Sequence, residues 1–159
     1  MSTGEAARLL GCSRQHVVDL CAQGVLPFVS VGSHRRVRRA DVTGLVRREL
    51  TRDQERSLWL HRVVAGRLAL DPYAVLAQAA KNLQHLRRVH PGGMTAQWLD
   101  EWQDVLDSGE DAVFSVLSSP SPYAAELRQN SPFAGVLSEQ DQAAALAAFR
   151  NHWRETHAA

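Results

Sequence analysis

Residues 2–39 constrain this chain more than any other segment. Ser2-Thr3-Gly4-Glu5 is a capping-box pattern, S-x-x-E, in which a serine hydroxyl and a glutamate carboxylate satisfy the free amides of a first helical turn. Ala6, Leu9 and Leu10 supply an apolar face, and Gly11 is placed to end the helix in a left-handed conformation. Ser13 caps a second helix. Its Val17, Val18, Leu20 and Cys21 recur at helical spacing, and Arg14, Gln15 and His16 occupy its exposed first turn. Gly24 ends that helix. Phe28 to Val31 and Arg36 to Arg38 then alternate around Gly32-Ser33, a hairpin with arginines at its tip and along its return strand. Asp41 caps a third helix with Val42, Leu45, Val46 and Leu50 on one face.

Two short helices joined by a tight turn and followed by a basic hairpin have the geometry of a helix-turn-helix with a wing, and the residue types suit duplex DNA. Arg and Gln make bidentate contacts with base edges, and a helix N-terminus presents amides to phosphate. The candidate DNA-binding residues are therefore Ser13, Arg14, Gln15 and His16 on the second helix, with Ser33, His34, Arg35, Arg36 and Arg38 on the hairpin. Three stretches carry a family likeness: T-G-E-A-A-R-L-L-G-C-S-R-Q-H-V from Thr3, L-P-F from Leu26, and V-G-S-H-R-R-V-R-R-A-D-V from Val31. Over residues 2–50 the chain resembles the excisionase-type, MerR-like winged helix-turn-helix family. The resemblance implies that the second helix enters the major groove and that the wing touches the backbone or minor groove. The chain departs from the commonest family pattern at Val17-Val18-Asp19, which leaves base specificity open.

The formal net charge of +1 conceals a division along the chain. Residues 1–50 hold eight Arg against four acids, net +4; residues 51–90 hold seven basic residues against three acids, again net +4; residues 91–159 hold three Arg against ten acids, net −7. One end is suited to phosphate and the other is not. No run of 18 apolar residues offers a membrane span. With two cysteines and no secretory pattern at the start, a reduced, cytoplasmic compartment is expected. His16 and His34 lack acidic or thiolate companions at metal spacing, and Cys12 and Cys21 read as small packed thiols.

Beyond Thr51 the pattern is helical almost throughout. Leu58, Leu60, Val63, Val64, Leu68 and Leu70 stripe residues 53–70. Asp71-Pro72 opens a helix holding Val75, Leu76, Ala79, Leu83 and Leu86, and Pro91-Gly92-Gly93 breaks it. Thr95 caps a helix with Trp98, Leu99, Trp102 and Leu106. A short helix covers 110–118 and another ends at Gln129. Residues 130–135 form an ordered loop, and Ser138 caps the last helix, with Leu146, Phe149 and Trp153. The acids Glu101, Asp104, Asp107, Glu110 and Asp111 read as a solvated helix face. Without a glycine-rich phosphate loop or a nucleophile–base set, no enzyme and no cofactor are expected.

The expected fold is mainly α: a winged helix-turn-helix with a small β-hairpin wing over 1–50, followed by an all-helical dimerisation or partner-binding domain over 51–159. Trp98, Trp102, Arg128, Gln129, Asn130 and Phe133 are the candidate partner-binding residues, since aromatics beside acidic surface anchor a basic partner. The same aromatics would serve as the core of a helical domain. A winged helix joined to an acidic helical region resembles bacterial toxin–antitoxin antitoxins. That resemblance implies a transcriptional regulator that binds its operator and neutralises a toxin encoded nearby, of ribonuclease or nucleotidyltransferase type. The expected partners are double-stranded DNA, such a toxin and a second copy of the chain, as a homodimer or as cooperative monomers. The alternatives are a recombination-directionality or architectural DNA-binding factor, or a stand-alone regulator binding a small ligand between its tryptophans.

Overall fold

The computed structural model describes residues 1–46 and 50–158. Among them are nine helices and one antiparallel hairpin, so the chain is mainly α with a small β wing after its first two helices. The described residues form two compact units. The first comprises Met1–Leu50 and the short segment Ser121–Ala124; the second comprises Thr51–Pro120 and Ala125–Ala159.

The first unit begins with α1 (Thr3–Leu10) and α2 (Arg14–Ala22). The Ser2/Glu5 capping box forms: the Glu5 N–H donates to Ser2 Oγ at 3.2 Å, and the Ser2 N–H donates to the Glu5 carboxylate at 2.7 Å. Gly11 closes α1 at φ 66°, a conformation that costs any residue with a Cβ. Ser13 caps α2 by accepting from the His16 N–H at 3.1 Å. β1 (Phe28–Val31) and β2 (His34–Val37) pair so that Val31 faces His34, Ser30 faces Arg35 and Val29 faces Arg36. Gly32 supplies the positive φ of the two-residue turn. On its other edge β2 meets the start of the chain: the Val37 N–H donates to the Met1 carbonyl, the Met1 ammonium donates to the Val37 carbonyl, and Ser2 bridges Arg36. The wing is therefore pinned to the N-terminus of α1.

A core of Ala6, Ala7, Leu10, Val17, Cys21, Leu26, Val37 and Val42 closes this unit. Leu9 is 44% exposed, so the inner face of α1 runs through the alanines and Leu10 rather than through Leu9. Helix α3 (Arg39–Val46) starts two residues before Asp41, which lies inside its first turn and is not its cap. Leu50 falls beyond the end of α3, and the side chain of Val46 lies outside the described residues.

The second unit is built from α4 (Arg52–Leu70), α5 (Pro72–Val89), α6 (Gly93–Asp107), α7 (Glu110–Ser118), the end of α8 (Pro122–Gln129) and α9 (Glu139–His157). Helix α4 packs against α5, α7 and α9, while α6 packs against α5 and α7. Thr51, Asp71 and Ser138 cap α4, α5 and α9 through their side chains. Helix α6 starts earlier than Thr95, after Gly92 and without a side-chain cap. Leu70 points outward, because it is the last residue of α4 and the stripe through Leu58, Val64, Ala65 and Leu68 has rotated past it.

The loop at 130–137 is pinned from two helices. Asn82 donates both amide hydrogens, to the Pro132 and Ala134 carbonyls at 2.8 Å each. His61 Nδ1 lies 2.7 Å from the Ser57 carbonyl, which can only accept, so Nδ1 carries the proton. Nε2 then accepts from the Ser131 hydroxyl at 2.8 Å. No described helix is long and apolar enough to cross a membrane.

Candidate nucleic-acid interface

The wing and the first two helices enclose a groove of about 530 Å³, lined by Ser2, Thr3, Arg14, Val18, Ser30, Gly32, Ser33, His34, Arg35 and Arg36. The groove follows from local rules. The left-handed Gly11 and the Ser13 cap turn α2 against α1 and place Arg14 at the N-terminal end of α2. The pinned strand β2 then carries His34, Arg35 and Arg36 to the same cavity. Three guanidinium groups, a histidine and several hydroxyl side chains thus meet at one concave surface, a composition matched to a phosphate backbone.

Each cation is held differently. Arg14 Nε donates to Thr3 Oγ1 at 3.3 Å, which fixes the side chain and leaves its terminal nitrogens for other acceptors. Arg35 lies over the Phe28 ring at 5.1 Å, a cation–π contact that steadies it against the wing. Arg36 is exposed and contributes to the field that holds the Glu5 carboxyl below the usual carboxylate range. The dominant causes of that shift are the hydrogen bonds from the Ser2 backbone and hydroxyl; the N-terminal ammonium and Arg36 add less.

Of the nine DNA-binding residues named from the sequence, Arg14, Ser33, His34, Arg35 and Arg36 line the groove. Ser13 adjoins it as the cap of α2. Gln15 is exposed on α2, with its amide donating to Asp19 at 3.0 Å. The ring of His16 packs 4.8 Å from that of Tyr123 within the first unit. Arg38 lies elsewhere, in a cleft of about 520 Å³ that it shares with Met1, Phe28, Arg36, Arg39 and Asp41. Sequence reasoning missed Ser2, Thr3 and Ser30. The capping box marked Ser2 as a helix cap and gave no sign that the wing returns beside it.

The residues offered as partner anchors separate sharply. Trp102 is 0% exposed, donates Nε1–H to the Leu127 carbonyl at 2.8 Å and meets Phe133 edge to face. Phe133 and Arg128 are also interior. These three belong to the core of the second unit and not to a surface for a partner: their positions in α6, α8 and the pinned loop face inward. Trp98 and Asn130 are half-buried and Gln129 is exposed. Among the described residues no group of three or more His, Cys, Asp or Glu could hold a metal ion. Cys12 and Cys21 form no disulfide, and burial raises the Cys21 thiol above its ordinary value.

The helix-turn-helix domain family model matches residues 1–49. No curated protein and no solved structure matches the chain. Residues 1–49 are thus similar to a helix-turn-helix domain, which supports DNA binding, and the basic groove lies among them.

Proposed function

We propose that the protein is a sequence-specific, DNA-binding transcriptional regulator whose groove between α2 and the wing receives the phosphate backbone while the first turn of α2 addresses base edges. The observation that carries this reading is the convergence of Arg14, His34, Arg35 and Arg36 on one groove of a helix-turn-helix domain. One such unit reads only a few base pairs, so useful specificity calls for two copies, as a dimer or as cooperative monomers in the bacterial cytoplasm.

The test is a salt titration of binding to the protein's own promoter and to an unrelated duplex. Replacing Arg35 and Arg36 together with Ala weakens binding to both and flattens the slope of log K against log salt by about 0.9 for each phosphate that is no longer neutralised. Gln15→Ala instead costs roughly 1–3 kcal/mol on the cognate site alone. Unchanged salt slopes and unchanged cognate affinity together refute the reading.

The antitoxin role rests on the acidic charge of residues 91–159, since three of its six proposed anchors are interior. Co-expression with the product of the neighbouring gene decides it: neutralised toxicity supports the role, and a harmless neighbour removes it. The excisionase-like or architectural role is the second reading, favoured because the matched domain suits either kind of DNA-binding protein. Bending of the bound duplex, measured by gel mobility against bend position, distinguishes it.

A further inference from the structure

Arg128 is 3% exposed and sits near the C-terminus of α8. Its Nη1 donates to the Val116 carbonyl at 2.9 Å and to the Ser119 carbonyl at 2.6 Å, and so satisfies carbonyls at the end of α7. Nε and Nη2 are closed off from solvent, and no group among the described residues bonds to either. Those two nitrogens form one edge of the guanidinium, the fork that binds two oxygens of a single oxyanion side by side. None of the three ion pairs among the described residues involves Arg128. Burial, and after it the charge of Arg62, lower the Arg128 pKa to about 10, while burial and then the charge of Arg128 lower that of His61, next to Arg62 in the chain. A buried cation without a counter-ion is costly, and a second cation nearby raises that cost. Both costs are relieved by a bound anion.

We propose that the Nε–Nη2 edge of Arg128, assisted by the charge of Arg62, is a seat for a doubly charged oxyanion, the phosphate group of a small phosphorylated ligand. Two cations without an acidic partner match a dianion better than a single carboxylate. With both nitrogens covered, a ligand reaches them only when the surrounding chain opens, so binding and local opening are linked. The site lies in the second unit, away from the sequence of the helix-turn-helix, and does not depend on the DNA reading.

The test uses the full chain carrying Arg35→Ala and Arg36→Ala, so that phosphate binding in the DNA groove does not contribute. Inorganic phosphate, acetate and chloride are titrated at constant ionic strength, with Tm and the Arg128 Nε–H resonance as readouts. Phosphate is expected to raise Tm saturably and to shift that resonance, with acetate weaker by about 10-fold and chloride inert. Arg128→Lys keeps the charge but loses the fork, and should weaken the phosphate response at least 10-fold. Arg62→Gln, at an exposed position, should weaken it severalfold without touching the core. Equal responses to all three anions, an unmoved Arg128 resonance, or an unchanged response in Arg62→Gln overturns the proposal.

Discussion

Thr3 shows how one small side chain can set the geometry of an interface. It is buried in the first turn of α1, and its hydroxyl accepts from Arg14 at the first turn of α2. Thr3→Val keeps the shape and removes the acceptor. The fold should survive, while Arg14 loses its fixed direction. We expect cognate DNA affinity to fall by about 1 kcal/mol, the usual net value of one such hydrogen bond, with little change on unrelated sequences. A quantitative binding assay on the two duplexes checks this. Nothing in the sequence announces the pair, because residues 3 and 14 lie on different helices and become neighbours only when Gly11 turns the chain back. What was legible was local. Ser2, Ser13, Asp71 and Ser138 each declare a helix start within three residues, and each acts as a cap, whereas Asp41 and Thr95 carry the same signal and fall inside α3 and α6. What was not legible was tertiary: Trp102, Phe133 and Arg128 look the same in sequence whether they anchor a partner or fill a core.

At the scale of elements, the pinned loop at 130–137 depends on two polar side chains from α4 and α5. Asn82→Ala removes both bonds to the Pro132 and Ala134 carbonyls and should destabilise the chain by about 1–3 kcal/mol, read as a lower midpoint in urea. His61 adds a pH dependence. Burial first, and the charge of Arg128 after it, lower its pKa to about 4 against the opposing hydrogen bond to Ser57. Well above pH 6.5 the residue is neutral in both folded and unfolded chains and contributes no slope. As pH falls from 6.5 towards 4 the unfolded chain takes up a proton that the folded chain refuses. Stability should therefore drop by up to roughly 3 kcal/mol across that window. His61→Gln should flatten the slope between pH 6.5 and 4, as followed by chemical denaturation at several pH values.

For the whole molecule, the charge along the chain divides the labour. The basic first unit holds the groove proposed for DNA, whereas residues 91–159 carry net −7, a charge that disfavours contact with a phosphate backbone. We expect a footprint of two similar half-sites whose centres lie a whole number of helical turns apart, since symmetric proteins bind symmetric sites. A single unrepeated footprint, together with a monomer in ultracentrifugation at the same concentration, would remove the two-copy reading. The helical nature of residues 51–159 and the wing over the first 50 were readable from period and turn signals. That segment 121–124 groups with the first unit was not, because a contact made so far along the chain leaves no periodic trace.

The two thiols of the first unit give that unit its own clock. Cys21 lies inside the core and Cys12 is only half covered. A thiol reagent should modify Cys12 quickly and Cys21 only as often as the unit unfolds. Saturating operator at about 100 times Kd adds roughly 2.7 kcal/mol to the folded state, which should slow modification of Cys21 about 100-fold. Mass spectrometry of the two labelled peptides then reports DNA occupancy from inside the fold, with no probe attached to the groove itself.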